Sequence, residues 1–263
     1  MDSFLERAVA AARAGAQVIL RGAAALDTLS VDTKRPNDFV SEIDRGAERA
    51  IIDTLGAAFP GHAILAEESG GSGRSDHTWI IDPLDGTTNF LHGLPYHCIS
   101  IALRRDAELL VGLILDPTHD RLFTATAGGG AFLNGAPMRV SARSSLDQAL
   151  VGTGLPFTDF SYLDDYMGSL RQIMQRASGI RRAGAAALDL AYVAAGWLDG
   201  FWETNLNAWD MAAGVLLITE AGGSVSDFAG RKHDLARRHI AAGTPGVHTA
   251  ILEVLARYPG LDS

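Results

Sequence analysis

Residues 79–90 read WIIDPLDGTTNF. The apolar run Trp79-Ile80-Ile81 has the character of a buried strand. Asp82 and Asp85 follow at once, so two carboxylates leave the core side by side where that strand ends. Like charges so close repel, and desolvating them costs free energy unless something compensates. A shared proton is one remedy and a divalent cation another, and oxygen-only ligands favour Mg²⁺, Mn²⁺ or Ca²⁺ over zinc. Pro83 and Gly86 predict a tight bend that turns both side chains toward one point. The N–H groups of Gly86, Thr87 and Thr88 predict an anion nest or helix N-terminus suited to phosphate. Taken alone, the stretch fits a capped turn equally well, with Asp82 and Asp85 bonding local backbone.

Two further stretches favour the cation. AILAEES (63–69) also ends an apolar strand on paired acids, Glu67 and Glu68. NAWDMAAGVLLITEAGG places Asp210 in the first turn of an apolar helix, a position where an Asp is by itself most simply a cap. Three separate elements thus deliver acid at a strand or helix end, as a metal cage requires.

The 263 residues are enough for one large domain or two moderate ones. A net charge of −9 argues against nucleic-acid or anionic-membrane binding through bulk electrostatics. No apolar run is long enough to span a bilayer, and the acidic, helical start MDSFLERAVAAARAG does not read as a signal peptide. Cys98 is the only cysteine, which excludes an intrachain disulfide and a Cys-based zinc site. A reducing cytoplasm is the setting expected.

Ser3 with Glu6 makes a capping-box pattern ahead of a first helix to about Arg21. A second helix starts at Ser41 and stops at Phe59-Pro60-Gly61. From Ala63 short strands dominate, and beyond a boundary near Ser141–Ser145 strands and helices alternate. The expected architecture is therefore α+β to α/β. Residues 1–143 form an antiparallel-sheet region with most of the candidate ligands, and residues 144–263 an α/β region that completes the site.

The blocks AEES, WIIDPLDGTTNF and WDMAAG, in this order and spacing, resemble the inositol monophosphatase family of Mg²⁺-dependent, lithium-sensitive phosphatases. KRPNDFVSEIDRGAE, GTGLPF, AGAAALDLAYVAAGWLDGFWE and EAGGSVSDF look like its bacterial members, including the extragenic-suppressor type, so the resemblance covers nearly the whole chain. It implies a layered αβαβα sandwich of the sugar-phosphatase type. It implies Glu67, Asp82, the Leu84 carbonyl, Asp85 and Asp210 as ligands of two or three Mg²⁺ ions, with Mn²⁺ as a possible substitute. Glu67 and Thr87 would lie near the attacking water, with Asp44 as partner of the Thr87 hydroxyl; on sequence alone Asp44 is equally well a first-turn acid favoured by the helix dipole. The Gly86 and Thr87 amides would bind phosphate, while Ala186 N–H, Glu203 and Asp210 face the rest of the substrate.

The implied activity is hydrolysis of inositol 1-phosphate or a related small polyol phosphate by metal-activated water, in a cytoplasmic homodimer. Histidinol-phosphate and fructose-1,6-bisphosphate phosphatases share the fold. The first substrate would want more acids near residues 203–210 than Glu203, and the second a further basic cluster, for which Arg181 or Arg182 is in reach. A regulatory, protein-binding role with incidental catalysis is the other class of answer. NLNAWD (205–210) and Ala185 depart from the common family pattern beside the substrate pocket. Lys34 is a further candidate contact to the metal site. His92, His97 and Cys98 read as loop or packing residues, Trp197, Trp202 and Trp209 as core or subunit contacts, and Arg181–Arg182 as an exposed pair.

Overall fold

The structure is a computed structural model that describes residues 2–26, 29–35 and 38–262, with the side chains of residues 2, 33–40 and 262 outside the description. Lys34, in its side chain, therefore lies outside the described residues. Helix α1 (Asp2–Ala23) starts before Ser3, so the Ser3–Glu6 pair sits inside its first turn instead of capping it. A hairpin of β1 (Val31–Arg35) and β2 (Asp38–Ser41), unannounced by any periodicity, leads into α2 (Glu42–Ala58).

An eight-stranded sheet follows. It contains β3 (Ala63–Ala66), β4 (Gly70–Ser72) and β5 (His77–Asp85), then, after the short helix α3 (Thr87–Leu91), β6 (Cys98–Arg105) and β7 (Glu108–Asp116). Strands β8 (Arg121–Thr126), β9 (Gly130–Leu133) and β10 (Ala136–Pro137) complete it in the order 10-9-8-7-6-5-3-4.

The rest of the chain supplies β11 (Leu150–Thr153), α4 (Leu163–Met174), β12 (Gly179–Arg181), α5 (Ala186–Ala194) and β13 (Gly200–Thr204). Helix α6 (Ala208–Glu220), β14 (Ser224–Ser226), β15 (His239–Gly243) and α7 (Pro245–Leu255) follow. The second sheet has the order 12-11-13-15-14. Strand β11 runs parallel to both neighbours, and β15 antiparallel to both of its own.

Alternation along the strands sets the layers. Trp79, Ile81, Ile99, Ile101, Val111 and Leu113 face α1 and α2, where Ala8, Ala12, Ile19, Ala47, Ile51 and Leu55 meet them. Ile80, Ala102, Ile114 and Phe123 face the other way, against α5 and α6. Those two helices also cover Phe201, Ile240 and Ala242 of the second sheet. Its far face, with Val151, Trp202 and Ala241, packs on α4 and α7. The result is an αβαβα sandwich. Being enclosed by two sheets, α5 and α6 are apolar on nearly every side, and the first sheet, covered on both faces, reads as almost unbroken apolar runs.

One close approach fixes the central spacing. A Cβ on Gly112 of β7 would stand 2.8 Å from Ala213 O of α6, a backbone atom that cannot swing away. Gly112→Ala is therefore expected to destabilise by about 1–3 kcal/mol. Gly56, inside α2 with open space around its Cβ position, should instead gain about 0.4–1 kcal/mol as Gly56→Ala. Urea denaturation of the two variants checks the opposite signs.

Candidate active site

The first sheet delivers its acids through a fault in its pairing. Asp82 pairs with Ser100 but Asp85 with Cys98, so three steps on β5 match two on β6. Residues three apart on a regular strand point to opposite faces; the extra residue restores Asp82 and Asp85 to the same face, toward α5 and α6. Pro83 fits such a bulge because it has no N–H to lose from the ladder. Leu84 N donates to Asp82 Oδ1 at 3.0 Å. The bend expected from sequence is thus a bulge followed by Gly86, whose φ of 91° caps α3 in the left-handed region. Phe90 N closes the first helical bond on Gly86 O, so the amides before it have no partner within the helix.

Helix α2 locks this turn from the side. Asp44 is fully buried. Its Oδ2 accepts from Ser41 N at 2.8 Å and Ser41 Oγ at 2.5 Å, and its Oδ1 from Thr87 Oγ1 at 2.8 Å. It is both the first-turn acid and the partner of Thr87. The same hydroxyl lies 3.0 Å from Leu84 O, so its single proton has two acceptors in reach, of which Asp44 is the nearer. One turn along α2, the buried Glu48 accepts Glu68 N at 2.8 Å, and Glu67 N donates to Ile81 O at 3.2 Å. The Glu67–Glu68 turn is thereby tied to both α2 and β5.

Asp210 arrives on the first turn of α6, where Asn207 N donates to its Oδ2 at 2.6 Å. The capping role is real, and the position still brings the side chain to Asp82 and Asp85. Ser100 Oγ, beneath, donates to Trp209 O at 3.0 Å and fixes the helix start to β6. Asp85 Oδ2 accepts Ala187 N at 2.7 Å, so this strand-end carboxylate also caps α5. Ala186 N–H, at the first position of α5, precedes the first helical bond there.

Glu67, Asp82, Leu84, Asp85 and Asp210 line a cleft of about 770 Å³, together with Thr87, Ala186 and Glu203. Burial pushes Asp82 well above the usual carboxylate range, and the charges of Glu67, Asp85 and Asp210, with a hydrogen bond to Glu67, push it further. Burial likewise raises Asp85 to about 7 against the bond from Ala187, with Asp189 and Glu67 adding to the rise. Asp210 also lies at about 7, through burial and then the charge of Asp85. Among the described residues, no three His, Cys, Asp or Glu side chains already stand in the tight cluster that closes on an ion. One oxygen of each Asp is instead held by a backbone amide. The donor set, carboxylates and one carbonyl whose mutual repulsion raises their proton affinity, nevertheless fits a hard divalent cation.

Several residues in the cleft escaped the sequence reading. Asp189 of α5 is buried, accepts the Tyr96 hydroxyl at 2.5 Å, and is raised to about 7 by burial against that bond and the Arg182 charge. Arg181 and Arg182 are both exposed, as expected; Arg182 also lines the cleft, while Arg181 bonds its own strand at Ile180 O. Asn205, Arg238 and Phe157 line it as well. Trp209 belongs to the cleft wall, Trp202 to the core, and Trp197 to the surface, with Arg121 5.1 Å above its ring. The periodicity of α5 hid Asp189 among apolar neighbours, and Arg238 comes from the bend just before β15, far away in the chain. His92 is exposed, and His97 packs edge-on against Phe90. Cys98 is buried.

The model of the inositol monophosphatase family matches residues 1–259. The chain belongs to that family. It is a phosphatase of the inositol monophosphatase type, in a family that depends on a metal, usually Mg²⁺. Among its relatives, the Nus factor SuhB of Pseudomonas aeruginosa is 49% identical over 97% of this chain and 96% of its own. The inositol-1-monophosphatase of Mesorhizobium japonicum is 44% identical over 97% of both. The crystal structure of extragenic suppressor protein SuhB from Bartonella henselae superposes with a TM-score of 0.93 at 44% identity, over 96% of this chain and 98% of that one. No helix among the described residues is long and apolar enough to cross a membrane.

For this family member, Asp44→Asn turns an amide NH₂ toward at least one of three donors. It is expected to cost about 1–3 kcal/mol of stability, read by chemical denaturation, and to lower turnover by releasing the Thr87 hydroxyl.

Proposed function

We propose that the chain hydrolyses inositol 1-phosphate or a related small polyol monophosphate with Mg²⁺. One observation carries the reading: three separate elements bring Glu67, Asp82, Asp85 and Asp210 to one cleft, with the N-terminus of α3 and Glu203 in the same walls. Glu67, Asp82, Leu84 O, Asp85 and Asp210 would hold two or three Mg²⁺ ions, or Mn²⁺ in their place. When bound, such ions neutralise the phosphate and activate water for in-line attack.

The protein's own groups then supply positioning. Gly86 and Thr87 amides hold the phosphate. The Thr87 hydroxyl, oriented by Asp44, and Glu67 align the attacking water. Glu203 accepts two vicinal hydroxyls, and Ala186 N–H donates to one. On this reading residues 1–143 carry most of the ion site and residues 144–263 complete it. The working form is a cytoplasmic homodimer sensitive to Li⁺.

Two other readings have specific support. Asp189 beside Glu203 gives the cleft the second acid that a cationic histidinol phosphate would want, though Arg182 opposes it. The relative named a Nus factor supports a regulatory protein-binding role.

Phosphate release should be Mg²⁺-dependent, abolished by EDTA, and strongest with inositol 1-phosphate in a panel with histidinol phosphate and fructose 1,6-bisphosphate. Mg²⁺ should also raise the melting temperature of the wild type, since a ligand of the native state stabilises it, and have little effect on Asp85→Asn. Feeble turnover of every substrate, despite the Mg²⁺-induced rise, would favour the regulatory reading.

A further inference from the structure

One side-chain amide bonds to both sides of the joint between the two halves of the cleft. Asn89, on α3 just beyond Thr87, donates from Nδ2 to Tyr96 O at 2.7 Å and to Ala183 O at 2.9 Å. Both acceptors are carbonyl oxygens without a proton to give, so only an NH₂ group satisfies them together. Tyr96 is tied a second time, through its hydroxyl to Asp189 Oδ1 of α5. The two segments meet without slack. A Cβ on Gly86 would stand 2.9 Å from Tyr96 O and 3.2 Å from Ala185 Cβ. One on Gly184, at φ 91°, would stand 2.6 Å from the Arg182 guanidinium and 3.2 Å from the Asn89 amide. Segment 182–186, which leads into Ala186, is thus seated directly on the turn that carries Gly86 and Thr87.

We propose that Asn89 is a positioning residue that fixes the span between the phosphate end of the cleft and its hydroxyl-binding end at Ala186 and Glu203. It thereby selects phosphomonoesters whose alcohol presents hydroxyls at a set reach. The inference rests on the polyol-phosphate reading above. Asn89 acts through Ala183 and Tyr96, so its loss should harm a substrate that bridges both ends far more than one that occupies only the phosphate end.

The test is steady-state kinetics of wild type, Asn89→Asp and Asn89→Ser on inositol 1-phosphate and on phenyl phosphate, which has no hydroxyls beyond the ester. Inhibition by inorganic phosphate and a thermal melt are measured alongside. Asp keeps the shape but sets a carboxylate against two carbonyls; Ser removes the paired donors without adding charge, and serves if the Asp variant fails to fold. The expected result is a rise in KM for inositol 1-phosphate of about tenfold or more, with kcat/KM for phenyl phosphate and inhibition by phosphate held within about twofold. Equal losses on both substrates, or no loss on either, would overturn the proposal. A wild type that hydrolyses phenyl phosphate but not inositol 1-phosphate refutes the polyol reading instead. The same ratio is then taken with the polyol or sugar phosphate it prefers, where equal losses again overturn the role of Asn89.

Discussion

Carboxylates brought together in a partly desolvated cleft raise one another's proton affinity, and a fold that gathers them must hold them against that repulsion. In this chain the holding is done by backbone. Asp82 is pinned by Leu84 N, Asp85 by Ala187 N and Asp210 by Asn207 N. The cluster is therefore a property of where β5, α5 and α6 begin and end, and it depends on the close packing that fixes those ends relative to one another.

That dependence explains the layering. Helices α5 and α6 are shared by both sheets, so any movement of either sheet is transmitted to Asp210, Ala186 and the amide that holds Asp85. Helix α2 braces the opposite side, with Asp44 on Thr87 and Glu48 on the turn of Glu67 and Glu68. Both brace points are buried acids on one helix face, four residues apart, a spacing that places them one above the other. The motif WIIDPLDGTTNF is in this way clamped from two directions.

Much of this was legible in the sequence because the apolar periodicity of α2, β5–β7 and α6 is strong and the acids fall where those runs stop. The change from a strand-rich first region to alternating strands and helices, and the delivery of acid from three separate elements, follow from that punctuation, whereas the αβαβα order is what the family resemblance implies. Other features left no local signal. The bulge at Pro83–Leu84 is defined by its pairing with β6, which a linear reading does not contain. Asp189 looks like an interruption in an apolar helix until Tyr96 and the cleft are seen beside it. Arg238 reaches the site only because β15 lies against β13. The β1–β2 hairpin is short and polar, with none of the alternation that marks a half-buried strand.

The central claim is that the fold gathers Glu67, Asp82, Asp85 and Asp210 to hold a divalent cation. Its most direct test is anomalous diffraction from crystals of the protein grown with Mn²⁺, whose scattering marks the ion independently of any assay. The account predicts anomalous peaks within coordination distance of these four carboxylates and the Leu84 carbonyl, lost in Asp85→Asn crystals. Full Mn²⁺ exposure with no peak in the cleft, or a peak held by other residues, would contradict it.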